Sequence, residues 1–359
     1  GQGELIDRVP PYVVRKNAEY MDTPILTEEG RRHLKRTVWK ALWKRATLFR
    51  RFFYLTVNVL RMIRRGKIQP DKLLWRILAD SAPRLEETYD LAVAYLEGGS
   101  AYYVADYVKA EQKAAFVHID YGRAGYDRKL DGSCYLNFNQ IFTVSEEVKE
   151  SFLLAYPECK ESTEVFQNLI DREEILKRIE EEGFTDAYQG IRLLTVGRLT
   201  WQKAYDVAID AMKLIKEAGV QARWYVLGEG DQREVLEKKV DRLGLQEDFV
   251  LLGARENPYP FFSEADIYVH ATRFEGKSIA IQEAQVLGKP VIASDCSGNR
   301  EQLDDGWDGR LCSLTPESIR DGILELIEQP ELRALYGRRA AQRNVGGKEE
   351  IQKLLKLLE

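Results

Sequence analysis

The stretch that decides the fold is residues 191–199, IRLLTVGRL, an apolar run that ends on glycine and arginine. Five later runs resemble it: RWYVLGEG (223–230), FVLLG (249–253), IYVHAT (267–272), PVIAS (290–294) and GRLCS (309–313). Amphipathic stretches such as residues 206–217 and 234–243 lie between them. Continuous apolar runs that alternate with helices predict a doubly wound parallel sheet, whose ligands bind beyond the carboxyl ends of the strands.

A second series of strands is predicted upstream, at residues 89–95, 114–119 and 141–145. The 359 residues exceed the roughly 250–300 that one hydrophobic core accommodates. We therefore expect two Rossmann-like domains of the α/β class that face a cleft. Their predicted limits are 1–170 and 191–345, with an acidic, strand-free linker at 171–190 and a C-terminal helix at 346–359.

The composition is that of a soluble globular protein, with 44% apolar and 31% charged residues. The four cysteines are scattered and lack the spacing of a zinc site or a disulfide framework. No apolar run approaches the ~20 residues that span a bilayer, and the first residues do not resemble a signal peptide. We expect a cytoplasmic protein.

A strongly basic segment stands out on this acidic chain. Between Arg31 and Pro70 there are thirteen Lys and Arg residues and no Asp or Glu, so the rest carries about −18. One long amphipathic helix is predicted near 27–66, with Trp39 and Trp43 one turn apart on its basic face. Docking on an anionic membrane surface explains these features, and a merely solvated face is the alternative. Binding to nucleic acid is not expected, because the sequence contains no nucleic-acid recognition motif.

Positions just after the strands of the second domain suggest a phosphate site. Gly197 and Arg198 follow the first strand, and Lys203 stands where a helix begins. A guanidinium, an ammonium and a helix N-terminus together favour a diphosphate. Gly228 after the second strand, and Gly253 with Ala254 after the third, would let backbone approach a nucleobase.

The fourth strand, IYVHAT, is followed by the stretch EGKSIAIQE at residues 275–283. We expect Glu275 and Lys277 to meet the sugar or phosphate, the amides of Ser278 and Ile279 to point at ligand oxygens, and Glu283 to accept hydrogen bonds from ribose hydroxyls. Residues 304–306, DDG, are interpreted as a turn, and we expect no metal and no other cofactor.

These motifs together resemble a known family. GRL-x3-K, EGKSIAIQEAQVLGKPVIAS and the glycines and acids of residues 298–309 are similar to the donor domain of family 4 of the retaining glycosyltransferases, which have the GT-B fold. The resemblance is close over residues 192–341. It implies that Glu283 binds the ribose, that Arg198 and Lys203 hold the diphosphate, usually of UDP, and that Glu275 contacts the transferred sugar.

The first domain resembles, more loosely, the acceptor domains of bacterial enzymes that build capsule, exopolysaccharide and lipopolysaccharide. That likeness places His118 at the cleft, flanked by Asp120 and Tyr121. Two departures stand out. Ala204 replaces the family's glycine after the lysine, and the strand, glycine-rich loop and helix that open the family's first domain are not seen, so we expect roughly the first βαβ unit, ~30 residues, to be missing.

The expected function is retaining transfer of a sugar from a nucleoside diphosphate to a glycan, with a lipid-linked glycan as the expected acceptor, at the inner face of the membrane. Two alternatives stay open. One is a nucleotide-sugar epimerase or hydrolase of the same fold, which would form product without a glycan acceptor. The other is a non-catalytic nucleotide-sugar-binding or membrane-scaffolding protein, which would bind donor without turnover.

Overall fold

The computed structural model describes residues 9–16, 28–42, 48–64, 75, 79, 84–122, 124, 126 and 128–359. Its first helices are α1 (Glu28–Leu42) and α2 (Leu48–Arg64). Cα atoms of α1 and α2 approach within 8 Å, whereas residues 42 and 48 of one continuous helix would lie about 9 Å apart along its axis. The basic segment therefore forms two helices in contact, not the single long helix predicted near 27–66. Trp43 lies outside the described residues.

Helix α2 has one face against the protein and one in solvent. Asn58 and Met62 are buried, and Met62 contacts Leu130 of the first domain. Phe53 and Leu60 are 72% and 53% exposed. The apolar residues of this segment are thus divided between the core and the surface.

The first domain is built on a four-stranded parallel sheet whose order follows the chain: β1 (Thr88–Ala94), β2 (Lys109–Val117), β3 (Gln140–Thr143) and β4 (Thr163–Val165). Its helices are α3 (Gly99–Tyr107), α4 (Arg128–Asp131) and α5 (Glu146–Ala155). Small and aromatic side chains fill the core, because Ala94, Ala101 and Ala115 leave room for rings such as Tyr135 and Phe152. The short β4 was not predicted.

Residues 171–190, predicted as a linker, carry no strand but are packed against the second domain. Asp171 caps helix α6 (Arg172–Lys177), since its side chain accepts the Glu174 amide at 3.2 Å. Ile175 packs against Val286 and Val345. The segment is thus part of the second domain's surface.

The second domain contains a six-stranded parallel sheet in the order β10-β9-β8-β5-β6-β7. Its strands are β5 (Ile191–Val196), β6 (Ala222–Leu227), β7 (Phe249–Gly253), β8 (Ile267–His270), β9 (Val291–Ser294) and β10 (Gly309–Cys312). Its helices are α7 (Tyr205–Glu217), α8 (Arg233–Leu243), α9 (Tyr259–Glu264), α10 (Ile279–Val286), α11 (Ser297–Arg300), α12 (Pro316–Glu328) and α13 (Pro330–Ala341). The strand order reverses between β5 and β8, which is where a ligand crevice opens in such sheets. The two predicted parallel-sheet α/β domains are confirmed.

The end of the chain returns to the first domain. Helix α14 (Ile351–Leu355) follows a short 3-10 turn at Lys348–Glu350. Lys353 donates to the Val165 carbonyl at 2.6 Å, and Leu354 packs against Phe116 and Phe142. This C-terminal segment therefore ties the two domains together.

Within the described ranges, no helix combines the length and hydrophobicity needed to cross a bilayer.

Candidate active site

The loops that follow β5 and β6 lie directly on one another. A Cβ atom on Gly228, whose φ is 151°, would sit 2.0 Å from the Gly197 carbonyl oxygen. A Cβ atom on Gly230 would sit 2.3 Å from the Leu199 carbonyl oxygen. Only glycine permits this approach. The backbone of the loop after β6 therefore packs directly against the loop that carries Arg198.

A chain of polar side chains lies at the carboxyl ends of β5 and β8. The Tyr268 hydroxyl lies 3.1 Å from Nδ1 of His270, and Nε2 of His270 donates to the Glu275 carboxylate at 3.2 Å. Lys203 donates to the same carboxylate. Burial alone would raise the pKa of Glu275, but the hydrogen bond from His270 and the charge of Lys203 lower it to about 2. Glu275 is therefore ionised. It holds the Lys203 ammonium at the switch point of the sheet, where the strand order reverses between β5 and β8.

Further contacts join the loops after β5 and β8. Gln202 donates to the Phe274 carbonyl at 2.9 Å, and the Arg273 amide donates to the Gln202 carbonyl at 2.8 Å. The Arg273 guanidinium pairs with Asp206 at 2.8 and 3.0 Å. These bonds fix Lys203 relative to Glu275 before any ligand arrives.

Arg198 and Ala204 flank Lys203 in sequence, and the structure exposes the Arg198 side chain while it buries Ala204. Arg198 is exposed and makes no side-chain hydrogen bond or ion pair with any described residue, so it can turn toward an anion. Ala204 is buried with φ 46° and ψ 34°, the left-handed conformation that favours glycine. Ala204 is thus an alanine in a backbone conformation that glycine adopts more readily.

One expectation about helix α10 is wrong. The amide of Ser278 does not point at an open site, because it donates to the Gln302 side chain at 2.7 Å. The Gln302 amide donates in return to the Ser278 carbonyl at 2.8 Å. Ile279 opens the helix, and its N–H has no acceptor within the helix. The helix N-terminus therefore offers Ile279 and the next amides, while Ser278 is occupied.

Glu283 lies on α10 and is largely buried. Burial raises its pKa to about 7, although a hydrogen bond from the Tyr259 hydroxyl at 3.1 Å opposes that rise. Glu283 accepts this bond on one oxygen, Oε1. Its carboxyl group is thus poised to change its charge when a hydrogen-bonding ligand arrives.

The loop after β7 presents exposed backbone. Gly253 has φ 78°, and its carbonyl accepts the Gly228 amide at 2.9 Å. Ala254 is exposed. The Gly253 carbonyl is therefore engaged within the protein, and contact of Gly253 and Ala254 with a nucleobase stays a prediction.

The three acceptor-side candidates have different surroundings. His118 is partly exposed beside Glu97, whose Oε2 lies 3.5 Å from the His118 Nδ1 atom. Asp120 accepts from the Ser151 hydroxyl at 2.7 Å and is half-buried. Tyr121 is wrongly assigned to the cleft, since it is 2% exposed and donates to buried Asp131. Its ring belongs to the aromatic core of the first domain.

The domains meet at Glu301. Its carboxylate accepts the Glu146 amide at 3.2 Å and the Glu147 amide at 2.7 Å, at the N-terminus of α5. Lys277 is half-buried nearby; burial lowers its pKa, and the charge of Glu301 raises it. The acid thus caps a helix of the opposite domain and faces a lysine of its own domain.

Sequence reasoning missed Gln302, Tyr259 and Glu97, and noticed Glu301 only as part of a motif. Tyr259 and Gln302 come from elements distant in sequence from the residues they contact, so no spacing rule identifies them. Glu97 could have been found from the sequence, because it lies shortly after the end of β1, as His118 lies after the end of β2.

Among the residues the structure describes, no group of three or more metal-ligating side chains is found. Independence from metal stays a prediction.

Residues 179–343 match the family model described as "Glycosyl transferases group 1". The chain is 29% identical over 201 residues to the N-acetylgalactosamine-N,N'-diacetylbacillosaminyl-diphospho-undecaprenol 4-alpha-N-acetylgalactosaminyltransferase of Campylobacter jejuni, covering 55% of this chain and 52% of that one. It is 30% identical over 152 residues to the amylovoran biosynthesis glycosyltransferase AmsK of Erwinia amylovora, covering 40% and 37%. The chain thus aligns with about half or less of these relatives' own length.

Among solved structures, HepE of Anabaena in complex with UDP and glucose superposes with a TM-score of 0.60 at 19% identity, covering 69% of this chain and 71% of that one. Residues 179–343 therefore form a group 1 glycosyltransferase domain, and the chain shares the two-domain GT-B fold of this structure. The resemblance noted in the sequence is confirmed.

Proposed function

We propose that this chain transfers a sugar, with retention at the anomeric carbon, from a nucleoside diphosphate to a lipid-linked glycan of a bacterial surface polysaccharide. The observation that carries the proposal is Lys203 held by Glu275 at the switch point, beside an Arg198 that pairs with no described side chain. UDP is the first nucleotide to test, since HepE was solved with UDP and glucose.

The chemistry needs a stabilised leaving group. As the bond from the anomeric carbon to the diphosphate breaks, negative charge grows on the diphosphate oxygens. Arg198, Lys203 and the amides from Ile279 onward stabilise that charge in place of a metal ion. The acceptor oxygen attacks the same face of the sugar, and its proton passes to the departing diphosphate. Glu283 anchors the ribose, and Glu275 and Lys277 meet the sugar.

Arg198→Ala tests the assignment of the leaving-group cation. We expect the transfer rate to fall about a hundredfold or more. Arg242→Ala, which removes another exposed arginine of the same domain, is the matched control and should transfer at the normal rate. An unchanged rate in Arg198→Ala would reject this role.

A thermal-shift screen against UDP, GDP and ADP sugars identifies the donor. Ligand at 100 times its dissociation constant stabilises the folded state by about 2.7 kcal/mol. Donor consumption without a glycan acceptor would favour the epimerase or hydrolase alternative. Tight binding with no turnover on any lipid-linked acceptor would favour a non-catalytic role.

The lipid-linked acceptor is supported by the Campylobacter relative, whose name specifies a diphospho-undecaprenol substrate. An acceptor of this kind would bring the enzyme to a membrane surface.

The first two helices expose basic and apolar side chains. Arg32, Lys35 and Arg36 of α1 are exposed, and Trp39 is 61% exposed on the same helix. Helix α2 adds exposed Phe53, Leu60 and Ile63. Basic and apolar groups on adjoining helices fit anionic lipid.

Vesicle sedimentation tests the membrane partner. We expect binding to phosphatidylglycerol vesicles in low salt, weaker binding in high salt, and little binding to phosphatidylcholine. Phe53→Ser with Leu60→Ser should weaken binding, while Leu154→Ser, at an 88% exposed leucine on α5, should not. Equal binding to both kinds of vesicle, or none, would reject an anionic membrane surface as partner.

A further inference from the structure

Glu97 and His118 are brought together by the pairing of their strands. Ala94 of β1 pairs with Ala115 of β2 in parallel register. Glu97 and His118 each follow these alanines by three residues, so they leave the sheet side by side at its carboxyl edge. Their contact is therefore imposed by the backbone and does not depend on a chance rotamer.

The carboxylate of Glu97 binds His118 at two points. Its Oε2 atom accepts the His118 backbone N–H at 3.2 Å and lies 3.5 Å from Nδ1 of the ring. The ring contact is at ion-pair distance, and buried Nδ1 forms no hydrogen bond with any described residue. The Glu97 side chain is 10% exposed and the His118 side chain 23%. The carboxylate is thus the group that Nδ1 faces.

Charge decides which nitrogen of His118 carries the proton. Burial would raise the pKa of Glu97, but its contacts with the ring and backbone N–H of His118 lower it overall. An ionised carboxylate only accepts hydrogen bonds, so Nδ1 is the protonated nitrogen that satisfies both groups. Tyr95 and Phe116, with ring centroids 5.2 and 5.9 Å from that of His118, fix the ring plane. In the neutral imidazole, Nε2 then carries the lone pair.

The backbone of His118 lies against the donor domain. A Cβ atom on Gly276 would sit 2.6 Å from the His118 carbonyl oxygen. Gly276 stands between Glu275 and Lys277, which the proposed function assigns to the sugar. The histidine is therefore at the cleft.

We infer that Glu97 is a positioning residue: it holds His118 as the Nδ1–H tautomer, so that Nε2 accepts a hydrogen bond from a hydroxyl of the bound sugar. The inference rests on the proposed function for the identity of the ligand. The tautomer itself is a property of the unliganded protein. Glu97 touches no reacting atom and acts through the ring.

Nitrogen-15 NMR of histidine-labelled full-length protein reads the tautomer directly. The chain has only three histidines, so His33→Gln and His118→Asn assign the signals. We expect protonated Nδ1 and unprotonated Nε2 in the wild type. Glu97→Ala should give a mixture or the Nε2–H form, whereas Glu97→Gln, whose carbonyl still accepts both N–H groups, should keep the wild-type tautomer. Glu111→Ala, at an exposed acid on β2, is the matched control.

Two results would overturn the inference: an Nε2–H tautomer in the wild type, or an unchanged tautomer in folded Glu97→Ala. The first is informative even if Glu97→Ala does not fold. With an active donor and acceptor, Glu97→Ala should also lower kcat roughly 10- to 100-fold, as loss of a group that orients a functional histidine does elsewhere, and Glu97→Gln should recover most of it. If no donor is turned over, the proposed function fails while the NMR result still decides the role of Glu97.

Discussion

The backbone of Gly276 packs against the carbonyl oxygen of His118, with no room for a side chain: a Cβ atom would lie 2.6 Å away. The same loop is supported from its own domain, because a Cβ atom on Gly298 would lie 2.4 Å from the Glu275 and Gly276 carbonyl oxygens. The loop that carries Glu275 and Lys277 is therefore sandwiched between the two domains. A side chain at position 276 would therefore clash with the backbone of the first domain.

Gly276→Ala should hold the domains apart. The added methyl group meets backbone, which cannot turn aside as a side chain does. We expect the transfer rate to fall at least tenfold and the radius of gyration in X-ray scattering to rise, with little change in the thermal midpoint. Gly99→Ala is the control, since a Cβ atom there meets nothing within 4 Å. A normal rate and an unchanged radius would show that closure does not need this contact.

Glu301→Gln should loosen the same interface by a different route. The carboxylate accepts two amides at the N-terminus of α5, and a neutral side chain loses the favourable charge at the positive end of the helix. We expect a loss of about 1 kcal/mol in closure, seen as a roughly fivefold lower kcat/KM and a wider distance distribution between labels on the two domains. Glu331→Gln, in the first turn of α13, should change neither measurement.

Much of the second domain could be predicted because its strands are short, continuous apolar runs. All six predicted strands are present, and the positions just after β5 and β8 bring Lys203 and Glu275 together. Local sequence does not show that the Ser278 amide is already bonded, because its partner Gln302 lies in another loop. Such contacts depend on packing between elements, which periodicity does not encode.

The errors in the first domain have a similar cause. Tyr121 follows His118 closely in sequence, but in the fold its ring turns inward and its hydroxyl donates to Asp131. The continuous apolar periodicity of residues 34–63 suggested one helix, but α1 and α2 contact each other and bury Met62 while exposing Leu60. A helical repeat specifies which residues share a face, not where the chain turns.

Glu275→Gln should remove an acid-sensitive part of the stability. The pKa of Glu275 falls from its ordinary value of 4.5 to about 2 on folding, so its ionised form stabilises the native state above pH 4.5 by about 3 kcal/mol, and that contribution is lost as pH falls toward 2. The difference in unfolding free energy between wild type and variant should therefore be about 2 kcal/mol smaller at pH 3 than at pH 6 in urea titrations. Glu234→Gln, at an exposed acid, should show no such trend. A difference that does not depend on pH would contradict the low pKa.

Donor affinity should rise with pH if Glu283 binds the ribose. Burial raises the pKa of Glu283 from 4.5 to about 7, so near pH 6 only about a tenth of the protein carries the carboxylate that ribose hydroxyls bind best. The dissociation constant of a UDP-sugar, whose diphosphate does not titrate in this range, should fall about tenfold between pH 6 and pH 8, and calorimetry in buffers of different ionisation enthalpy should detect proton release near pH 6. Glu283→Gln should bind more weakly at pH 8 and show no pH dependence, whereas Glu237→Gln, on the exposed face of α8, should behave as wild type.

The Tyr259 hydroxyl lowers the pKa of Glu283. Tyr259→Phe should therefore move the midpoint of the affinity change to higher pH. If wild-type affinity is flat across this range, or Glu283→Gln keeps its slope, then another group holds the pentose.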